Sequence, residues 1–464
     1  MKYTDHKTVE ELKIAYVGGG SQGWAWGLMS DLADAGDMSG EVALYDINKE
    51  AAERNAVIGN RFNDLPDAKS KWNYYATDTL EQALTGADFV VISIQPGTLD
   101  EMEVDVHLPE KYGIYQSVGD TAGPGGIVRA LRTLPMMEVI AKAVEQCCPK
   151  AWVINYTNPM ALCVKALYDT FPAIRAFGCC HEVFGTQKLL VKALEDICGI
   201  QGAEREEIKV NVVGVNHFTW LTSATWHGMD LFPIYRQYAE KYRTTGTAVN
   251  AGSNWMNKFF LCDNRAKFDL FLRYGLIAAA GDRHLAEFCP KSWYLADADC
   301  PKKWGFELTP VSLRRQQLDS RNETGAKRAS GEEAVKLAKT GEEGVLQMRA
   351  LLGLSDLVTN VNLPNVGQIP NLPLGAVVET NAAFRDGTLT PVCAGEVPEQ
   401  IVALIQRNVA EQMLVAEAVR ERDVEKAYLA FANDPLVDLA PAEARKLFNE
   451  MLEGTKKYLK DYPL

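Results

Sequence analysis

Short apolar runs that end in glycine or in polar residues recur through the first part of the chain. Buried strands are predicted at Leu12–Val17, Val42–Asp46, Ala87–Gln95, Ala151–Tyr156 and Arg175–Cys180. Helical periodicity between the strands predicts helices at Ser21–Ala35, Ile127–Gln146 and Met160–Tyr168. Strands that alternate with helices in this way predict an α/β fold with a doubly wound parallel sheet of the Rossmann type.

The pattern changes after about Gly199. Ile208–Val215 and Phe218–Trp226 are apolar or alternating and predict a pair of antiparallel strands. The chain from about Trp255 onward has mostly helical periodicity, with loops rich in proline and glycine around Leu363–Gly375. We therefore predict a Rossmann-like domain at residues 1–200 and an α+β, mostly helical domain at residues 201–464.

Composition narrows the class of protein. The net charge of −13 over 464 residues disfavours nucleic acid as a partner, because nucleic-acid binding needs a basic face. No apolar run is long enough to span a membrane, and Met1–Glu10 lacks the apolar segment of a signal peptide. The ten cysteines are then expected to be reduced thiols, and the protein is expected in the cytoplasm.

A glycine-rich motif follows the first strand and opens the first helix. Such glycines let the backbone approach a pyrophosphate, whose charge the helix N-terminus stabilises. An aspartate at the end of the next strand is typical of contacts to ribose hydroxyls and favours NAD over NADP. The alternative is a tight structural turn. The predicted cofactor contacts are Gly18, Gly20, Ser21, Gln22, Gly23, Asp46 and Gln95.

Cys180 and His217 offer a thiolate and an imidazole, which suit a divalent transition metal and leave coordination positions for substrate oxygens. The alternative for Cys180 is an inert buried cysteine. The residues of the polar cluster Asp282-Arg283-His284 either cap a helix or belong to a functional site. Arg129 could meet an anion near the same crevice or be a surface charge.

Several motifs together resemble the family 4 glycoside hydrolases. They recur in the order typical of that family, over roughly residues 12 to 290. The motifs are Gly18–Ser21, the Gly119–Arg132 run, Asn155–Pro159, Cys180-His-Glu-Val183 and Val215-Asn-His217. The last third of the chain resembles the family only in its helical character.

The resemblance implies a glycosidase that departs from the usual pair of carboxylates and uses NAD and a divalent metal, usually manganese. In that family NAD⁺ is thought to take a hydride from sugar C3, which acidifies the C2 proton. The metal polarises the C2 and C3 oxygens, a base removes the C2 proton, and the leaving group departs by elimination. Water then adds at C1 and the hydride returns, so that the cofactor is not consumed.

The resemblance also implies roles for individual residues. Cys180 and His217 become metal ligands and Asn158 becomes a contact to a substrate hydroxyl. Either His181 or Glu182 becomes the acid that protonates the leaving group. Asp282 becomes the C2 base, with Tyr274 as the alternative, since some members use tyrosine.

The Cys-His-Glu-Val motif, with Gly281-Asp-Arg-His284 later, is similar to that of members that act as α-galacturonidases on pectin fragments. Arg283 or Arg129 would then pair with the uronate carboxylate. Alternatives are an α-galactosidase or α-glucuronidase of the same family, an NAD-dependent sugar or hydroxy-acid dehydrogenase, and a non-catalytic sensor. The family's first domain resembles lactate and malate dehydrogenases, and the resemblance implies a homodimer or homotetramer.

Overall fold

The computed structural model describes residues 1–5, 7–247 and 261–464. Its strands within these ranges are β1 (Lys2–Asp5), β2 (Thr8–Val17), β3 (Met38–Tyr45), β4 (Trp72–Ala76), β5 (Phe89–Ile92), β6 (Trp152–Asn155), β7 (Arg175–Gly178), β8 (Ile208–Val215), β9 (Phe218–Trp226), β10 (Met229–Asp230), β11 (Ile277–Ala278), β12 (Leu357–Pro364), β13 (Val377–Arg385) and β14 (Thr388–Pro391).

The helices of the same ranges lie between and after these strands. They are α1 (Trp24–Asp34), α2 (Lys49–Arg61), α3 (Leu80–Leu84), α4 (Leu99–His107), α5 (Gly123–Cys147), α6 (Met160–Thr170), α7 (Glu182–Cys198), α8 (Phe232–Tyr242), α9 (Arg265–Tyr274), α10 (Asp282–Phe288), α11 (Lys291–Tyr294), α12 (Cys300–Lys303), α13 (Val311–Ser330), α14 (Gly344–Leu351), α15 (Glu399–Glu421), α16 (Val424–Asn433) and α17 (Pro441–Thr455). None of them is long and apolar enough to cross a membrane.

The main sheet contains six parallel strands in the order β4-β3-β2-β5-β6-β7. Counted in chain order this is the arrangement 3-2-1-4-5-6, which is typical of dinucleotide-binding sheets. The strand order reverses between β2 and β5, and ligands bind beyond the carboxyl ends of the strands at such a point. The predicted doubly wound α/β fold is confirmed.

Both faces of this sheet are buried, because helices pack on each side. Along β2, Ala15 and Val17 belong to one hydrophobic core and Ile14 and Tyr16 to another, as alternation in a strand requires. The first core includes residues of α5, and the second includes residues of α1 and α2. The four residues of β5 are all buried, which explains its uninterrupted apolar run.

The C-terminal part of the chain adds strands that the sequence pattern did not predict. β12 pairs with β7, and β13 and β14 follow it in an antiparallel extension of the main sheet. The segment around Leu363–Gly375, expected to be loop, includes the end of β12. The expected start of helical character at Trp255 lies outside the described residues.

The second sheet is antiparallel and built around β9, with β8, β10 and β11 as its neighbours. The bounds of β8 and β9 agree with the predicted pair of strands. Asn381 of β13 donates to the carbonyl of Val210 in β8 at 2.6 Å, which joins the second sheet to the extension of the first. Because strands from both parts of the chain share the main sheet, the division at residue 200 stays a prediction.

Candidate active site

A cavity of about 550 Å³ lies beyond the carboxyl ends of the parallel strands. Three predicted residues reach it from the segments after β5, β6 and β7, namely Gln95, Asn158 and Cys180. The other predicted site residues that line the cavity are Arg129 on α5, His181 and Glu182 at the start of α7, His217 between β8 and β9, and Arg283 on α10. Segments far apart in the chain therefore meet in one cavity.

The glycine-rich loop lies between β2 and α1, next to this cavity. Gly18 has φ +93°, and a Cβ there would lie 2.0 Å from the carbonyl oxygen of Ser93, so the loop requires glycine. Ser21 donates its N–H to the Gly18 carbonyl at 3.0 Å, and Gly23 precedes the first residue of α1. The Gln22 amide donates to the side chain of Asn322 on α13.

Asp46 lies just after β3 and accepts backbone N–H groups through both oxygens, from Gly20 at 2.9 Å and from Asn48 at 2.8 Å. A Cβ on Gly20 would lie 2.9 Å from an Asp46 oxygen, so only glycine leaves the gap between loop and carboxylate open. The residues fit a dinucleotide: N–H groups and a helix N-terminus for the phosphates, and an acid for the ribose.

Cys180 and His217 are both nearly buried and both line the cavity. His217 lies in the turn after β8 at φ +63°, and its Nδ1 lies 3.0 Å from the Thr121 hydroxyl. Thr121 donates its one hydroxyl proton to Asp120 at 2.6 Å, so His217 must donate from Nδ1. The lone pair of His217 is then on Nε2, as a metal ligand needs.

The charge states of Cys180 and His217 follow from burial and from neighbouring groups. Burial and the neighbouring His284 lower the pKa of His217 to about 3, which keeps the imidazole neutral. Burial, reinforced by Glu379, raises the pKa of the Cys180 thiol well above its usual value, so metal binding there would release a proton. Among the described residues no group of three or more His, Cys, Asp or Glu could hold a metal ion, so this two-residue site stays a prediction.

The unpredicted strands β12 and β13 support these two residues from behind. Asn360 on β12 donates to the backbone carbonyl of Cys180 at 3.3 Å and to Glu379 at 2.7 Å. The second oxygen of Glu379, on β13, accepts from Asn216 at 3.1 Å, beside His217. The two segments that carry the candidate metal ligands are thus tied to the same pair of strands.

Asp120 lies beside the predicted hydroxyl contact and was not identified from sequence, although it belongs to the Gly119–Arg132 run. Its carboxylate accepts from the Asn158 amide at 3.3 Å. Burial alone would raise its pKa, but Arg129 and His217 hold the pKa of Asp120 at about 2. The side-chain oxygen of Asn158 is buried without a partner in the described structure, so it can accept from a sugar hydroxyl.

His181 and Glu182, the two candidate acids, both lie at the cavity. His181 Nδ1 lies 3.1 Å from Glu342, its Nε2 lies 3.8 Å from Glu182, and its ring stacks on Trp24. Burial would lower the pKa of His181, but Glu342 and Glu182 raise it. Burial would raise the pKa of Glu182, yet His284 and the other histidines lower it to about 2.

His284 is a second residue that sequence reasoning did not select, although it lies in the polar cluster after Gly281. Its Nε2 lies 3.8 Å from Glu182, and its ring centroid lies 3.8 Å from that of His217. Glu182 also accepts the Gly281 N–H at 2.7 Å. The cluster therefore belongs to the site through Arg283 and His284 rather than through Asp282.

The structure places both candidate bases outside the lining of the cavity. Asp282 is fully buried and accepts from the N–H groups of Ala266 at 3.2 Å and Lys267 at 3.0 Å, so its carboxylate caps α9. Burial raises the pKa of Asp282 to about 6. Tyr274, at the other end of α9, packs edge-on against Trp220. Neither residue is brought together with Cys180 and His217.

The two predicted arginines line the cavity and hold backbone carbonyls. Arg129 donates from Nε to the Asn158 carbonyl at 3.2 Å. Arg283 donates from Nε to the Glu307 carbonyl at 3.0 Å and from Nη2 to the Ser117 carbonyl at 2.7 Å. Both guanidinium groups therefore help to shape the wall of the cavity.

Comparison with known proteins identifies the family of this chain. The model of the Family 4 glycosyl hydrolase matches residues 13–196, and that of the Family 4 glycosyl hydrolase C-terminal domain matches residues 212–437. The chain is 58% identical over 459 residues to the Alpha-galacturonidase of Thermoanaerobacterium saccharolyticum. The alignment covers 99% of this chain and 98% of that protein.

Solved structures show the same fold over nearly the whole chain. The crystal structure of lplD from Bacillus subtilis superimposes with a TM-score of 0.91 and 50% identity, covering 96% of this chain and 100% of that one. The structure of the 6-phospho-beta glucosidase of Thermotoga maritima was solved with manganese, NAD⁺ and glucose-6-phosphate. It superimposes with a TM-score of 0.75 and 22% identity, covering 96% of this chain and 99% of that one. The resemblance seen in the sequence motifs is confirmed, and this chain belongs to glycosyl hydrolase family 4.

Proposed function

We propose that this protein hydrolyses α-linked galacturonides and depends on NAD and a divalent metal ion such as Mn²⁺. The observation that carries the proposal is that Cys180, His181, Glu182 and His217 line one cavity beyond the carboxyl ends of the parallel strands, next to the glycine-rich loop. The name and 58% identity of the Thermoanaerobacterium relative support the choice of sugar.

The chain's residues fit both cofactors. The loop from Gly18 to Gly23, with Asp46, would hold the dinucleotide. Cys180 and the Nε2 atom of His217 would hold the metal. When bound, the two groups supply a hydride acceptor and a Lewis acid.

The protein side chains would orient the sugar and move protons. Asn158 can accept from one sugar hydroxyl, while Asp120 fixes the Asn158 amide and, through Thr121, the His217 ring. His181 or Glu182 would give a proton to the departing glycosidic oxygen. Overall the glycosidic bond breaks and water supplies the new hydroxyl at C1, with no net oxidation of the sugar.

Hydrolysis of p-nitrophenyl α-galacturonide tests the proposal. The protein is assayed with NAD⁺, Mn²⁺ and a thiol reductant, and each is omitted in turn while NADH absorbance is followed. We expect release that requires NAD⁺ and Mn²⁺ without accumulation of NADH, and loss of release in Cys180→Ser. Stoichiometric NADH without bond cleavage would instead indicate a dehydrogenase, and faster hydrolysis of the α-galactoside would overturn the choice of uronide.

Oligomeric state and location are separate from this assay. The homodimer or homotetramer and the cytoplasmic location expected from the sequence stay predictions. A short oligogalacturonide is the proposed partner, because a net charge of −13 disfavours a long polyanion.

A further inference from the structure

Helix α13 contributes one face to the wall of the cavity, and sequence reasoning selected none of its residues. Arg314, Gln317, Leu318 and Arg321 line the cavity and are spaced at i, i+3, i+4 and i+7. This spacing places all four on the same side of the helix over two turns. The face therefore presents two guanidinium groups with an amide between them.

The cavity carries an excess of cationic side chains. Its lining includes four arginines, Arg129, Arg283, Arg314 and Arg321, against two carboxylate side chains, those of Asp120 and Glu182. The whole chain has the opposite balance, with a net charge of −13. Because gathering like charges costs free energy, this concentration of arginine points to an anionic ligand.

The four arginines differ in their partners. Arg129 and Arg283 donate to backbone carbonyls of the cavity wall. Arg314 contacts the Gln317 side-chain oxygen at 3.4 Å, which turns the other end of that amide away from it. The Gln317 Nε2 is buried without a hydrogen-bond partner in the described structure, so a donor on this face is left for a ligand to satisfy.

We propose that Arg314 and Arg321, with Gln317 between them, bind the C6 carboxylate of the uronide in this cavity. The inference rests on the proposed function, since it names the residues that select an acid over a neutral sugar. A carboxylate would accept charge-assisted hydrogen bonds from the guanidinium groups and a further bond from the amide. The neutral CH₂OH of a galactoside offers no negative charge to these groups.

The position of Arg314 favours the sugar over the dinucleotide as the source of the anion. Burial lowers the pKa of Arg314, and the negative charge of nearby Asp120 partly opposes this shift. Asp120 contacts Asn158, the predicted sugar contact. The glycine-rich loop instead meets α13 at Asn322, two turns after Arg314 and directly after Arg321.

Substitution on α13 tests the proposal. Arg314→Met and Arg321→Met remove one charge each, and Arg314→Lys keeps the charge. Arg315→Met is the matched control, because Arg315 lies on the same helix but pairs with exposed Asp100 outside the cavity. For each variant the ratio of kcat/KM for p-nitrophenyl α-galacturonide to that for the α-galactoside is measured, together with the Kd for NAD⁺.

We expect Arg314→Met and Arg321→Met to lower that ratio roughly 10- to 100-fold, mainly through KM for the uronide, with the NAD⁺ Kd changed less than about twofold. Arg314→Lys should recover part of the ratio and Arg315→Met should leave it unchanged. An unchanged ratio in both methionine variants overturns the proposal. Weaker NAD⁺ binding at a constant ratio also overturns it and assigns the arginines to the dinucleotide phosphates.

A binding measurement separates this inference from the proposed function. If the unsubstituted protein hydrolyses no galacturonide, the proposed function fails, and titration with free galacturonate and galactose in the presence of NAD⁺ still tests the carboxylate site. Preferential binding of galacturonate that Arg314→Met abolishes supports the site. Equal affinity for the two sugars overturns it.

Discussion

The hydrogen bond between His217 and Thr121 joins the turn after β8 to the segment just before α5, across 96 positions of sequence. Because Thr121 donates to Asp120, it can only accept from His217, and the imidazole is fixed with its lone pair on the opposite nitrogen. The bond thus sets both the orientation and the tautomer of the candidate metal ligand.

Removing the Thr121 hydroxyl should therefore weaken metal binding. We expect Thr121→Val to raise the Kd for Mn²⁺ roughly 10- to 100-fold, the usual effect of losing a hydrogen bond to a metal-binding histidine. Manganese titration followed by electron paramagnetic resonance measures this without turnover. Thr121→Ser keeps the hydroxyl and should bind nearly as the original protein does. Unchanged affinity in Thr121→Val would mean that His217 does not bind the metal.

Asp46 is expected to select NAD. Its carboxylate also orders the glycine-rich loop through Gly20, so Asp46→Ser removes a ribose acceptor and loosens the loop. We expect the NAD⁺ Kd to rise about tenfold or more and the preference over NADP⁺ to narrow. Nucleotide titration followed by protein fluorescence measures both. Asp78→Asn, at an exposed carboxylate paired with Lys49, is the control. Equal NAD⁺ affinity in Asp46→Ser would contradict a role at the ribose.

His181 and Glu182 can be separated by the leaving group. We expect His181→Asn to slow cleavage of an α-digalacturonide roughly 100-fold or more, since its sugar leaving group needs a proton, and to slow the p-nitrophenyl substrate far less. Glu182 already accepts from Gly281, while the His181 ring lies between two carboxylates that favour a bound proton. If Glu182→Gln, rather than His181→Asn, slows cleavage of the digalacturonide selectively, the acid is Glu182.

A buried carboxyl pair away from the cavity should make stability depend on pH. Asp434 accepts from the N–H groups of Gly123 at 3.0 Å and Leu436 at 2.7 Å, and Glu411 on α15 lies beside it. Burial, reinforced by Asp434, raises the pKa of Glu411 well above its usual 4.5. Burial also raises the pKa of Asp434 to about 6, although the hydrogen bond with Glu411 opposes that shift. The folded state then holds protons that the unfolded state releases, so stability falls as pH rises from about 4 through 6 and above.

Glu411→Gln keeps a donor for Asp434 and removes one titrating proton. We expect the variant to be more stable than the original protein at about pH 8, by at least about 1 kcal/mol, and its stability to change less between about pH 5 and 8. Urea unfolding at both pH values measures this. Glu417→Gln, at a half-buried surface position of the same helix, should leave the profile unchanged. Parallel profiles for Glu411→Gln and the original protein would contradict the shared proton.

The parallel half of the fold could be predicted because its signals are local. A buried strand, a glycine turn and a helix follow one another within the residues that form them, and the two strands Ile208–Val215 and Phe218–Trp226 have their own alternation. β12 and β13 were missed because the proline- and glycine-rich segment between them obscured the alternation and because their partner, β7, lies far away in sequence.

The sequence by itself determined the family, the glycine-rich loop and the residue types that carry the chemistry, since each depends on neighbours within a few positions. Only the tertiary structure decided which side chains share the cavity. In the folded protein Asp282 caps α9, and Asp120, His284 and Arg314 line the same cavity as His217 and Asn158. Which side chains meet depends on how distant segments pack. The local pattern of hydrophobic and polar residues does not encode the spatial distance between residues that are far apart in the sequence.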